Sequence, residues 1–128
     1  MKPEVKLGKI QLFIVQYLWG VGEATARDIS DHVSAAHALS HSTVQTLLRK
    51  LEVKGAVTHT ERERVFYYKA LVKRDDVEQS TTRDFLNRVF KGSAANLVSH
   101  MLEHETFTGE ELDELRQIIE RHRKEVKP

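Results

Sequence analysis

A chain of 128 residues, 40% hydrophobic and 30% charged, has the size and make-up of a soluble protein with one cored domain, or one domain plus a small appendage. The absence of cysteine excludes disulfides, thiolate metal centres and cysteine nucleophiles. The start, MKPEVKLGK, is charged, and the apolar run that follows is interrupted by Gln11 and Gln16. Neither a signal peptide nor a membrane span is expected, and the chain reads as cytoplasmic, with no direct membrane binding.

The net charge of +1 conceals an asymmetry. Residues 1–74 hold 12 Lys and Arg against 7 Asp and Glu, while residues 75–128 hold 8 against 12. A basic front and an acidic back suggest that the front meets a polyanion, the alternative being chance scatter in a neutral protein. The boundary expected from this shift separates 1–74 from 75–128.

A first helix is expected over residues 8–19, with Ile10, Phe13, Ile14, Tyr17 and Leu18 as its apolar stripe and Gly20 and Gly22 ending it. Thr25 can cap a short second helix, with Asp28 three residues on and Ala26, Ile29 and Val33 facing inward. A polar linker over residues 35–40 then leads to STVQTLLRKLEVKG at 42–55. There Val44, Leu47, Leu48 and Leu51 recur at helical spacing, and Gly55 stands where a helix end favours a left-handed residue. The other face carries Ser42, Thr43, Gln45, Thr46, Arg49 and Lys50, with no carboxylate before Glu52. Amide, hydroxyl and cationic groups together can read base edges and neutralise phosphate. A solvated, basic helix face is the plainer explanation of the same residues. Helix, short helix, turn and basic helix is the order of a helix-turn-helix unit.

Residues 56–60 and 64–70 are β-prone, with Val57, Val65, Phe66, Tyr67 and Tyr68, and a charged tip at 61–64 lies between them without Gly or Asn-Gly. A hairpin directly after such a helix is the wing of a winged-helix domain. Arg62 and Arg64 then either lie along the phosphate backbone or pair with Glu61 and Glu63.

The back half is helical in pattern. Residues 75–90 start with acidic residues, which suit the helix dipole, and carry Val77, Phe85, Leu86, Val89 and Phe90. After Gly92, Ser93 can cap a helix with Leu97, Val98, Met101 and Leu102 as its stripe. Thr108 and Glu111 form a capping box for the last helix, with Leu112, Leu115, Ile118 and Ile119 apolar. Three short amphipathic helices cannot cover all these faces themselves. A second copy of the chain would cover them, and packing on the winged helix is the alternative. The fold class expected is mostly α with a small β-hairpin wing: a winged helix-turn-helix domain plus a C-terminal helical dimerisation domain.

No enzyme is written here. A phosphate-binding Gly loop, GxSxG and HExxH are all absent. His37, Ser40, His41 and Ser42 cluster before a helix and could suggest a nucleophile and base, but on a short linker they are expected to serve as caps, Ser40 or Ser42 at the helix start, and phosphate contacts. His100 and His104, four apart, could face one metal, but a closed site would need His122 or Glu103 from elsewhere. No cofactor is expected.

Leu7-Gly8 through Leu18-Trp19, TARDI, STVQTLLRKL with Lys54-Gly55, the Arg64-x-x-x-Tyr68 pattern and FKGSAANLV at 90–98 together resemble the penicillinase-repressor (BlaI/MecI/CopY-type) family of transcriptional regulators. The resemblance covers nearly the whole chain in order. It implies an N-terminal winged helix that binds palindromic operators and C-terminal helices that form a homodimer. Carried over, Thr43, Gln45, Thr46, Arg49 and Lys50 would face the major groove, and Arg64 and Tyr68 would belong to the wing. In the antibiotic-resistance branch a membrane-anchored metalloprotease sensor triggers cleavage at Asn-Phe shortly after a Leu-Val pair. Here Leu97-Val98-Ser99 is followed by His100-Met101, so the pattern differs at the corresponding bond. The copper-responsive branch uses a cysteine cluster that this chain lacks.

The expectation is a dimeric, sequence-specific repressor of β-lactam-resistance-type or related stress genes, bound to an inverted repeat in double-stranded DNA. Ser42, Thr43, Gln45, Thr46, Arg49, Lys50, Lys54, Arg62, Arg64 and Tyr68 are its DNA-facing residues. Phe85, Val89, Phe90, Leu97, Val98, Met101, Leu102, Leu112, Leu115 and Ile119 are its dimer residues. A winged-helix protein–protein adaptor and a metal-responsive regulator using His100 and His104 are the alternatives.

Overall fold

The computed structural model describes residues 6–126. Its elements are α1 (Lys9–Val21), β1 (Ala24–Thr25), α2 (Ala26–His37), α3 (His41–Val53), β2 (Val57–Arg62), β3 (Val65–Ala70), α4 (Arg74–Phe90), α5 (Ala94–His104) and α6 (Gly109–Glu125). They form two compact units that divide between Asp84 and Phe85. The division falls inside α4, ten residues beyond the shift in composition at 74/75. Its first turns belong to the first unit because Trp19 Nε1 donates to Val72 O at 2.9 Å and Val77 is buried.

The core of the first unit is made where three amphipathic helices meet. Ile14, Val15 and Leu18 of α1, Ile29 and Val33 of α2, and Val44, Leu48 and Leu51 of α3 are all essentially inaccessible to solvent. Truncating one such leucine to alanine costs about 2–5 kcal/mol. Ile10, Phe13, Tyr17 and Leu47, also expected inside, pack around this core half-buried.

Helix boundaries follow local chemistry. α1 runs through Gly20 and stops at Gly22, whose φ of +85° suits glycine and whose N–H donates to Leu18 O at 2.7 Å. Thr25 Oγ1 accepts from Asp28 N at 3.0 Å and opens α2, as its position suggested. α2 continues to His37, so the linker shrinks to a turn in which Ala38 is left-handed at φ +54° and Ser34 Oγ donates to Leu39 O at 2.6 Å. Ser40, not Ser42, caps α3 by accepting from Thr43 N at 3.3 Å.

The sheet order is β1-β3-β2, antiparallel throughout. β1, two residues long, was not anticipated; it pairs Ala24 with Tyr68 and Thr25 with Tyr67. In the wing Arg62 pairs with Val65, so the expected four-residue tip closes to a two-residue turn. Glu63 and Arg64 make that turn at φ +53° and +67°.

The second unit holds the end of α4 and helices α5 and α6. Ser93 Oγ accepts from Asn96 N at 3.1 Å and caps α5. Thr108 and Glu111 form the reciprocal capping box of α6, at 3.1 and 3.0 Å. Phe85 and Phe90 contact edge to face at 5.8 Å. No described residue from Phe85 onward is buried. Phe85, Val89, Val98, Met101, Leu102, Leu112, Leu115 and Ile119 are exposed large hydrophobics.

Candidate nucleic-acid interface

α3 turns Val44, Leu48 and Leu51 into the core, and helical geometry therefore places its polar residues on the outside. Ser42, Thr43, Gln45, Thr46, Arg49 and Lys50 are all exposed. Hydrogen bonds run along this face. Ser40 Oγ meets Thr43 Oγ1 at 2.9 Å, Thr46 Oγ1 donates to Ser42 O at 3.0 Å, and Arg49 Nη2 donates to Thr46 Oγ1 at 3.3 Å. These contacts fix Thr46 and Arg49 on one line without covering either.

The wing brings its arginines to different surroundings. Arg64 is exposed at the turn. Arg62 pairs with neither Glu61 nor Glu63. Its Nη2 donates to Glu23 Oε1, from the loop before β1, and its guanidinium lies over the Tyr67 ring at 3.9 Å. Tyr67 and Arg62 share one sheet face because Tyr67 stands opposite Thr60, two positions from Arg62.

Tyr68 is on the other sheet face and is 6% exposed, so it serves the core and not the outer surface of the wing. Alternation explains this: Val57, Tyr68 and Ala70 stand together on the inward side. Burial pushes the Tyr68 phenol above its ordinary 10.0; the Glu52 carboxylate adds to the rise and Arg49 opposes it. His59 Nδ1 lies 2.7 and 2.8 Å from the two Glu52 oxygens, and its ring stacks on Phe66 at 4.3 Å. Glu52 thereby ties the end of α3 to β2.

Lys54, expected as a phosphate contact, is tied to the N-terminal part of the chain. Its Nζ donates to Lys6 O at 2.7 Å and to Gln11 Oε1 at 2.9 Å, and the same amide oxygen accepts from Gly8 N at 2.9 Å. Gln11, the polar break in the apolar run of α1, is buried for this reason. Sequence reasoning missed Glu23 and Tyr67 as partners of Arg62. Glu23 lies in a loop without periodicity, while Tyr67 could have been placed from the hairpin register.

In the second unit the His100 and His104 rings lie 4.3 Å apart on α5. Among the described residues no group of three or more His, Cys, Asp or Glu could hold a metal, so this pair is not extended by His122 or Glu103. His100 and Met101 are both exposed within α5. No helix among the described residues is long and apolar enough to cross a membrane.

Three helices around one core, a hairpin wing and an exposed polar third helix define a winged helix-turn-helix protein. The chain belongs to the penicillinase repressor family, whose model matches residues 7–121. That family is one of transcriptional repressors, not of enzymes. The chain is 30% identical to the penicillinase repressor of Bacillus licheniformis, over 99% of both chains. It is 29% identical to the methicillin resistance regulatory protein MecI of Staphylococcus aureus strain N315, over 83% of this chain and 86% of that one. Among solved structures it resembles the DNA-binding domain of the repressor BlaI, with TM-score 0.53 and 26% identity over 59% of this chain and 93% of that one. The monomeric form of B. licheniformis BlaI in complex with the blaP half-operator matches with TM-score 0.52, at the same identity and coverage.

Proposed function

We propose that this chain represses transcription as a homodimer bound to an inverted-repeat operator, with α3 in the major groove and the wing on the backbone. The observation that carries the reading is the two-sidedness of α3. One side is sealed into the core, and the other presents amide, hydroxyl and cationic groups to solvent with no carboxylate between His41 and Leu51. Gln45, Arg49 and Lys50 are the base-reading candidates, each good bidentate pair discriminating by about 1–3 kcal/mol. Ser42, Thr43 and Thr46 supply hydroxyls at the same surface, and Arg62 and Arg64 supply backbone contacts. The relative solved on a half-operator has the same fold in its DNA-binding part.

Dimerisation rests on the second unit. Its exposed stripes on α5 and α6, from Val98 to Ile119, need cover that the unit does not provide for itself. Two-fold pairing doubles the DNA contacts and calls for half-sites about one helical turn apart. The target genes in this reading are of the β-lactam-resistance or related stress type. Relief by a membrane-bound sensor metalloprotease that leads to scission of His100-Met101 fits the exposure of both residues, but α5 must unwind there before a protease can engage an extended strand.

The test is footprinting of the full chain on the DNA upstream of its own gene, with Arg49→Ala alongside. Protection of two symmetric half-sites, lost in Arg49→Ala while the dimer persists in gel filtration, is the expected result. An Arg49→Ala protein that binds as tightly as the parent overturns the placement of the reading face.

A further inference from the structure

Beside the reading face, a groove runs between the first turn of α1 and the second half of α3. Its apolar lining is half-buried Ile10 and Leu47 together with Val53, which is 89% exposed at the end of α3. Its rim is cationic: Lys9 on one side, and Arg49, Lys50 and Lys54 on the other. No carboxylate lines it, and the first turn of α1 carries none. Lys54 is held at the groove's end by Lys6 O and Gln11 Oε1, which leaves its third N–H and its charge fixed in place.

We propose that this groove seats the sugar–phosphate backbone of one strand of the duplex, with Lys9 as a phosphate contact outside the helix-turn-helix and wing. The inference rests on α3 being the DNA-reading helix, and it adds a backbone anchor on α1 that the reading face does not require. The chemistry matches in alternation. Deoxyribose carbons are apolar and fit the strip of Ile10, Leu47 and Val53, while the phosphates between them meet Lys9 and Lys54 on the rim. Continuity matters too, because Arg49 and Lys50 line this groove as well as the reading face, so the two surfaces adjoin. A contact of this kind carries no sequence information and positions the protein on the duplex.

The experiment measures operator and random-duplex affinity across a salt series for the full chain, Lys9→Ala, Lys9→Arg, Val53→Asp and Arg49→Ala, each verified as folded by its thermal transition. Losing one phosphate contact makes the slope of log K against log salt shallower by about 0.9 and weakens binding roughly 5-fold at 0.15 M salt. Lys9→Ala should show this loss equally on operator and random duplex, Lys9→Arg should restore it, and Val53→Asp should weaken both further. If Lys9→Ala and Val53→Asp bind with unchanged affinity and slope while Arg49→Ala loses operator preference, the groove proposal fails and the reading helix stands. If none of the variants alters binding, both fail.

Discussion

Arg62 of the wing donates to Glu23 Oε1 in the loop before β1 while its guanidinium lies 3.9 Å from the centre of the Tyr67 ring. Both charged side chains are half-exposed, so the pair adds at most about 1 kcal/mol to stability. Its weight lies in where it holds the guanidinium and in the negative charge it keeps beside it. DNA phosphate must compete with Glu23 for this arginine. Glu23→Gln is therefore expected to leave the thermal transition nearly unchanged and to tighten binding to operator and random duplex alike. Titration of the variant on operator and random duplex measures this, and an unchanged affinity rules out the competition.

Tyr68 predicts an alkaline limit. Its folded-state pKa is raised above 10.0, chiefly by burial, so the folded protein keeps the phenolic proton to higher pH than the unfolded chain does. The unfolded state then binds fewer protons, and stability falls as pH climbs past 10.0 until the folded phenol also ionises. Below pH 10.0 this contribution is fully present. Thermal transitions of the parent and Tyr68→Phe between pH 8 and 11 should separate, with a shallower decline for the variant. Parallel curves would remove Tyr68 as the cause.

Ser30 predicts a gain. Its hydroxyl is buried on the inner side of α2 and has no hydrogen-bond partner. An unsatisfied buried hydroxyl costs about 1–3 kcal/mol, and alanine is the better helix former. Ser30→Ala is expected to raise stability by about 1 kcal/mol, read as a higher urea midpoint at unchanged m-value. A lower midpoint would mean that lost packing outweighs the relieved hydroxyl.

Ile119 offers a direct test of self-association. It is the most exposed of the apolar residues on α6, at 59%, and a carboxylate there is incompatible with burial against a second copy. Ile119→Glu should sediment as a monomer and lose operator affinity while the thermal transition of the first unit persists. A variant that remains dimeric places the contact elsewhere.

The helices were legible because their signals are local. Thr25, Ser93 and Thr108 cap the helices they were read to cap, since a hydroxyl before an apolar repeat has few other uses. The exposed face of α3 was legible for the same reason, once its apolar repeat had fixed the inside. What escaped depends on distant partners. β1 is two residues long and exists only because β3 lies beside it. Lys54 reads as a free cation until Gln11, 43 residues earlier, is brought against it. Tyr68 could have been assigned inward from strict alternation with Ala70, but the aromatic run Phe66-Tyr67-Tyr68 hides the period.

The turn of the wing sets two demands against each other. Glu63 and Arg64 hold left-handed backbone without being glycine, which costs roughly 1–2 kcal/mol at each position. A glycine at residue 64 would make the hairpin firmer and cheaper to form, yet it would leave the loop without the cation that can reach a neighbouring phosphate. This tip is thus a place where a search for heat resistance and a search for affinity would pick different amino acids.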